Sequence, residues 1–305
     1  MHDLHDHSHG HHHGHAYPIK PNRAFITGII LNLAYVIMEV IYGLLHHSLA
    51  LLTDAGHNLG DVAGLGLSLL AFSLAKVKPT DVYTYGYKKT TILAALMNSM
   101  ILMIGVGIIG YQSILRIQHP EPVEGGVIAW VAALGILING VSALLFFRDK
   151  DHELNSRGAY LHMLTDMAVS MGVVISGIII SYTHWYRLDA IVSILVIIVI
   201  LRGTWSLMAD SFRLSLDAVP ANVDITTVIK KAQNVTGVVD FHHVHIWAMS
   251  TTENALTAHL VVQNNIDNSM LTVIKNDLKH QLQHLNIHHI TVETEFQNED
   301  CNLNC

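Results

Sequence analysis

Charge is what this chain has least of. Only 13% of its 305 residues are Asp, Glu, Lys or Arg, against roughly 25% in a soluble domain. That shortage excludes an ordinary water-facing surface over most of the chain, and the positive mean hydropathy of +0.39 agrees. Basic residues are outnumbered, 17 to 24, so the basic face that nucleic-acid binding requires is missing. Cysteine is confined to Cys301 and Cys305. No disulfide framework is therefore expected, as suits a protein whose polar parts face a reducing cytosol. The N-terminus also lacks the basic start and apolar run of a cleavable leader.

Apolar residues make up 51% of the sequence, and there are 23 histidines. The formal charge of −7 counts those histidines as neutral, so it shifts below pH 7. The first 15 residues form a histidine-rich tract without apolar periodicity. Such a composition predicts disorder. It reads either as a weak metal scavenger or as a dispensable solvated tail.

Six long apolar runs follow, at 24–46, 49–75, 90–115, 127–147, 158–182 and 188–208. Each is near the ~20 residues that cross a bilayer as a helix. Lys20 and Arg23 precede the first run, Lys76, Lys78, Lys88 and Lys89 flank the second loop, and Arg148, Lys150 and Arg157 flank the fourth. The odd loops carry only Arg116 and Arg187. This bias predicts cytoplasmic even loops and cytoplasmic termini.

Beyond about residue 215 the apolar runs shorten and charge returns. Val223–Gln233 reads as a helix, Val244–Met249 and Ala255–Val262 as strands, Met270–His284 as a helix capped by Asn268 or Ser269, and His288–Glu295 as a strand. The expected organisation is a disordered tail (1–18), an all-α six-helix membrane bundle (19–212), a small α+β cytoplasmic domain of ferredoxin-like αββαβ order (213–298) and a short tail (299–305).

Ionisable side chains within a span are expensive and mark function by default. The second run contains Asp54, His57 and Asp61, and the fifth contains His162 and Asp166. In both, a histidine precedes an aspartate by four residues, which places an imidazole and a carboxylate on one helix face. Two such faces meeting give four ligands, the number zinc prefers, and imidazole suits zinc better than magnesium or calcium. Asp54, at the expected membrane edge, reads either as a supporting or access residue or as a helix cap. Asn32 and Glu39 in the first run read either as cavity-lining and proton-relay groups or as structural hydrogen bonds. Gly56, Gly60 and Gly64 recur every four positions and predict close helix packing.

Three stretches, Ser48 to Asp61, Tyr85 to Leu96 and His162 to Asp166, resemble the cation diffusion facilitator family of zinc and related metal exporters. The resemblance covers nearly all of the chain after the histidine tract. It implies a homodimer that works by alternating access, exchanging a cytosolic metal ion for protons in a bacterial cytoplasmic membrane, with a metallochaperone-like cytoplasmic domain. It assigns the metal site to His57, Asp61, His162 and Asp166, and His57 points to zinc over cadmium. It assigns a dimer-stabilising pair to Lys89 and Asp217. Tyr83 and Tyr87 stand where some members have histidines of a further metal site, so that site is not expected. In the cytoplasmic domain His242 and His259 match ligand positions, Glu293 and Glu295 replace the remaining pair, and His243, His245 or His289 are candidates to compensate. His280, His284 and His288 are expected to be surface residues.

Two other classes are disfavoured by the residues themselves. A zinc hydrolase needs an open ligand position and a general base, and no His-Glu-x-x-His is present. A membrane-anchored metal sensor leaves paired ligands in two spans unexplained. The nearest alternative keeps the transporter and changes the cargo to cadmium, cobalt, iron or manganese.

Overall fold

The computed structural model describes residues 23–146 and 154–297, and side chains from 30 to 144 and from 160 to 297. The histidine tract, Lys20, Arg148, Lys150, Cys301 and Cys305 lie outside the described residues.

Six long helices come first: α1 (Arg23–Leu45), α2 (Leu49–Ala75), α3 (Thr90–Gln118), α4 (Gly125–Phe146), α5 (Leu154–Thr183) and α6 (Arg187–Ser215). They match the six apolar runs, and several extend further into polar sequence. By length and composition α2 to α6 can cross a membrane, and the described part of α1, Ile30–Leu45, is a shorter apolar helix. Large apolar side chains such as Ile104, Ile108, Leu137 and Ile175 are exposed. That pattern fits a lipid solvent, because water disfavours apolar patches of this extent.

The chain divides into two compact units, one holding residues to Ala63 with Ile101–Thr204, the other Gly64–Met100 with Trp205 onward. In the first unit, Ala50, Leu51, Ile128, Ala132, Val173 and Ile180 form one buried cluster. Val106, Val196, Ile197 and Ile200 form another. Helices α4 and α5 meet at Gly125 and Gly177, where a Cβ on Gly177 would lie 2.7 Å from the Gly125 carbonyl oxygen. Only a residue without a side chain allows that approach. Hydroxyls link three helices: Thr53 Oγ1 lies 2.7 Å from Ser193 Oγ, which lies 2.8 Å from Ser113 Oγ.

The second unit contains α7 (Ile225–Gln233), β1 (Val238–Ala248), β2 (Asn254–Val262), α8 (Asn268–Gln283) and β3 (Ile287–Phe296). The order αββαβ is the one expected. β1 pairs antiparallel with β2 through a tight turn, and β2 pairs parallel with β3. A parallel neighbour needs a crossover, and α8 supplies it. Ile274, Leu278 and Leu282 repeat every four residues on α8 and bury against Phe241, Leu256 and Leu260.

Two expectations are corrected here. The cap of α8 is Asp267 rather than Asn268 or Ser269; its carboxylate accepts from the Met270 amide at 2.8 Å and from the Ser269 hydroxyl. These donors hold the Asp267 carboxyl below the usual carboxylate range. The Thr227 hydroxyl and amide do the same for Asp224, the cap of α7. Second, β1 begins at Val238, six residues before Val244. Its register slips between His242 and His245, and a bulge of that kind breaks the two-residue alternation by which strands are read.

Candidate metal centre

Ser48 caps helix α2 locally, its hydroxyl oxygen accepting from the Leu51 amide at 3.3 Å, and a second helix completes the start. The first amides of α2 have no partner within the helix, and Asp189 of α6 accepts them. The Asp189 carboxylate accepts from the Leu49 amide at 2.7 Å, the Ala50 amide at 3.4 Å and the Ser48 hydroxyl at 2.6 Å. The acid is fully buried. A carboxylate at a helix N-terminus is favourable for the helix dipole as well.

Two turns further along α2, His57 and Asp61 share one face. They meet His162 and Asp166 of α5. His57 Nε2 lies 3.6 Å from Asp61 Oδ2 and 3.5 Å from Asp166 Oδ1. His162 Nε2 lies 3.1 Å from Asp61 Oδ2 and 3.6 Å from Asp166 Oδ2. The donor atoms of His57, Asp61 and His162 fall within 4.8 Å of one another, and Asp166 turns one oxygen towards each histidine. Zinc bonds of about 2.0–2.1 Å in a tetrahedron separate neighbouring ligands by roughly 3.3 Å. The observed separations scatter about that value. His57 Nδ1 and Asp166 Oδ1 are buried and lack hydrogen-bond partners, so the group is incompletely satisfied by the protein alone.

The structure thus brings together all four residues expected for the site. It corrects the surroundings. Asp54 is fully buried and receives a hydrogen bond from Ser170 Oγ at 3.2 Å. It does not cap α2, since Ser48 and Asp189 do. The close packing expected at Gly56 and Gly60 is made with α3: a Cβ on Gly60 would fall 2.0 Å from Leu102 Cδ2. Glu39 is fully buried and accepts from Asn58 Nδ2 at 3.4 Å, while Asn32 keeps a partnerless Oδ1. Asp189 escaped the sequence reading because it looks like the acidic first turn of its own helix. Nothing local links it to Ser48, 141 positions away.

In the second unit a further cluster forms on the sheet. His259 pairs with Glu295, and its Nε2 lies 3.7 Å from Glu293 Oε2. His242 Nε2 lies 3.6 Å from Glu295 Oε2. His243 joins them, its ring 4.8 Å from that of His259 and 5.0 Å from that of His242. The β-bulge explains this: His243 has φ 48, so two successive histidines approach the same neighbour. His245 is exposed and borders a groove with Asp217, Val219 and Trp247. His289 packs edge-on against Tyr85 at 5.2 Å. Of the three candidates His243, His245 and His289, His243 is the one that joins the cluster. Elsewhere, Tyr83 and Tyr87 pack against each other, ring centroids 4.8 Å apart. Lys89 Nζ and Asp217 Oδ1 form an exposed ion pair at 2.6 Å.

Comparison with known proteins fits this layout. Residues 25–214 match the cation efflux transmembrane domain, and residues 220–296 match the cation efflux protein cytoplasmic domain. The chain is 34% identical over 287 residues to the "Cadmium, cobalt and zinc/H(+)-K(+) antiporter" of Bacillus subtilis, covering 93% of this chain and 92% of that protein. It is 37% identical over 276 residues to the "Zinc transporter ZitB" of Escherichia coli, covering 88% and 87%. It is 34% identical over 282 residues to the "Metal cation efflux system protein CzcD" of Cupriavidus metallidurans, covering 92% and 88%. With both domains matched and relatives aligned over almost their whole length, the chain belongs to the cation diffusion facilitator family of multi-pass membrane cation efflux transporters, and is not an enzyme.

Proposed function

We propose that this protein exports zinc from the cytosol in exchange for protons, and that His57, Asp61, His162 and Asp166 hold the ion in transit. The observation that carries the reading is the meeting of two imidazoles and two carboxylates from α2 and α5 at the spacing of a tetrahedral zinc site. Four such donors replace the water that zinc must shed to cross lipid. Neutral imidazole binds zinc and imidazolium does not. A site open to the proton-rich side therefore releases its ion, and a site open to the cytosol reloads. Zinc as cargo is supported by the names of the relatives, and counter-transport of protons by that of the Bacillus subtilis protein.

The same reading places both termini in the cytoplasm of a bacterial cell, residues 19–212 in the cytoplasmic membrane as a homodimer and residues 213–298 beneath it. It assigns His242, His243, His259 and Glu295 as a cytoplasmic metal site, with Glu293 at its rim. Cadmium or cobalt as a second cargo is favoured by the name of the Bacillus subtilis relative.

Purified protein in proteoliposomes tests the reading. An imposed pH gradient should drive zinc flux, and zinc should drive proton counter-flux. His57→Ala and Asp166→Ala should each abolish both while the protein remains in the membrane. Near-normal flux in both variants would show that the ion travels elsewhere.

A further inference from the structure

One helical turn from the metal centre lies a second buried group with different chemistry. Tyr35 and Glu39 stand a turn apart on α1, Asp54 and Asn58 a turn apart on α2, and Ser170 a turn beyond Asp166 on α5. Glu39 and Asp54 are 0% exposed, Asn58 1% and Tyr35 2%. Asn58 Nδ2 donates to Glu39 Oε2, and Ser170 Oγ donates to Asp54 Oδ2. Those two bonds leave Glu39 Oε1, Asp54 Oδ1 and Asn58 Oδ1 buried without a donor. The Tyr35 hydroxyl is directed at Glu39 and Ser170 yet completes no well-formed hydrogen bond. Because Asn58 stands one turn after Asp54 on the same helix face, its bond to Glu39 sets the two buried acids side by side. No ion pair among the described residues involves either acid.

Two carboxylates so close, away from water and without a basic partner, cannot both stay ionised. Every free atom in the group is an oxygen, so the cluster does not resemble a zinc site. Other titratable groups facing the pair are Tyr35 on α1, His57 on α2 and Asp166 on α5. From α4, Gly135 lies against Tyr35.

We propose that Glu39 and Asp54 share one proton and surrender it when zinc occupies the neighbouring site, so that the pair supplies one of the protons exchanged for each zinc. Zinc brings two positive charges within a helical turn of Asp54. One O–H bond breaks, the proton passes to water and on to the bulk solution, and both carboxylates remain ionised opposite the metal. When zinc departs, a proton returns and the bond re-forms. This inference rests on the reading of zinc–proton exchange above and adds a second proton carrier to the four ligands.

The test counts protons released per zinc bound by the full-length protein in detergent, at saturating zinc in weak buffer with a pH-sensitive dye. Glu39→Gln, which keeps the shape of the side chain and holds no exchangeable acid proton, should release about one proton fewer per zinc than the wild type. Glu39→Asp, which keeps the acid, should restore the count. If Glu39→Gln fails to fold, Asp54→Asn is read the same way. Equal counts in wild type and the neutral variants would overturn the shared proton while leaving zinc–proton exchange intact. A wild type that releases no proton at all would overturn the exchange itself. A wild-type count that falls when potassium replaces choline would show an alkali cation, not a proton, between the two acids.

Discussion

At the scale of single residues, the proposed metal centre is a choice of four donors whose reach and charge are set by side-chain identity. His57 contributes a nitrogen 3.5 Å from Asp166 and 3.6 Å from Asp61. Aspartate at that position keeps four ligands but replaces a nitrogen by a shorter, charged oxygen. The tetrahedron loosens, and a larger ion fits as well as zinc does. His57→Asp is therefore expected to stay active and to raise the cadmium-to-zinc flux ratio by at least about threefold, which needs under 1 kcal/mol of differential stabilisation. The measurement is both fluxes by one purified preparation at a matched pH gradient; an unchanged ratio in an active variant would place selectivity in helix packing. These donors were legible in the sequence because the four-residue repeat of a helix fixes which side chains share a face. The cytoplasmic cluster was only half legible. His242, His259 and Glu295 meet as expected, but His243 joins through a bulge, and a bulge depends on pairing with a distant strand rather than on local pattern.

At the scale of elements, what fixes the ligands is how α2 is held. Its first turn hangs on Asp189 of α6, and the hydroxyls of Thr53, Ser193 and Ser113 tie α2, α6 and α3 a turn further on. Asp189→Ala strands two buried amides and a hydroxyl, at about 1–3 kcal/mol for each unsatisfied group. The expected outcome is a melting temperature several degrees lower in detergent, with weakened zinc flux. Asp189→Asn, which keeps an acceptor, should fall between this variant and wild type. Flux in Asp189→Ala equal to wild type would mean that α2 needs no such anchor. None of this clamp could be read from sequence, since its partners are far apart and each looks ordinary where it stands. The caps of α7 and α8 make a contrasting, local case. Asp224 and Asp267 have carboxyls held below their usual range by the Thr227 hydroxyl and the Met270 amide, respectively. Their contribution is full above the ordinary carboxylate range and is lost as pH falls through the lowered folded-state values. Hydrogen exchange in the first turns of α7 and α8 should therefore accelerate on acidification, and Asp267→Ala should show the fast rate in α8 at neutral pH.

At the scale of the whole molecule, the homodimer proposed above makes the pair Lys89–Asp217 a way to ask what holds two copies together. Within one chain the two side chains make an ion pair at 2.6 Å, both well exposed. Lys89 directly precedes α3, and Asp217 follows α6 with φ 59, a left-handed conformation that aspartate adopts more readily than most residues. An exposed ion pair contributes roughly 0–1 kcal/mol to the stability of one chain. A role in assembly gives the pair a larger effect, because both copies lose it at once. Lys89→Asp is thus expected to lower the dimer fraction seen by native mass spectrometry and to reduce zinc flux with it. Adding Asp217→Lys in the same chain should restore both, since it rebuilds the pair with its charges exchanged. Dimer fractions that match wild type in the single variant would assign the pair to the chain alone. A double variant no better than the single one would assign the loss to the new charge at position 89 rather than to the missing pair.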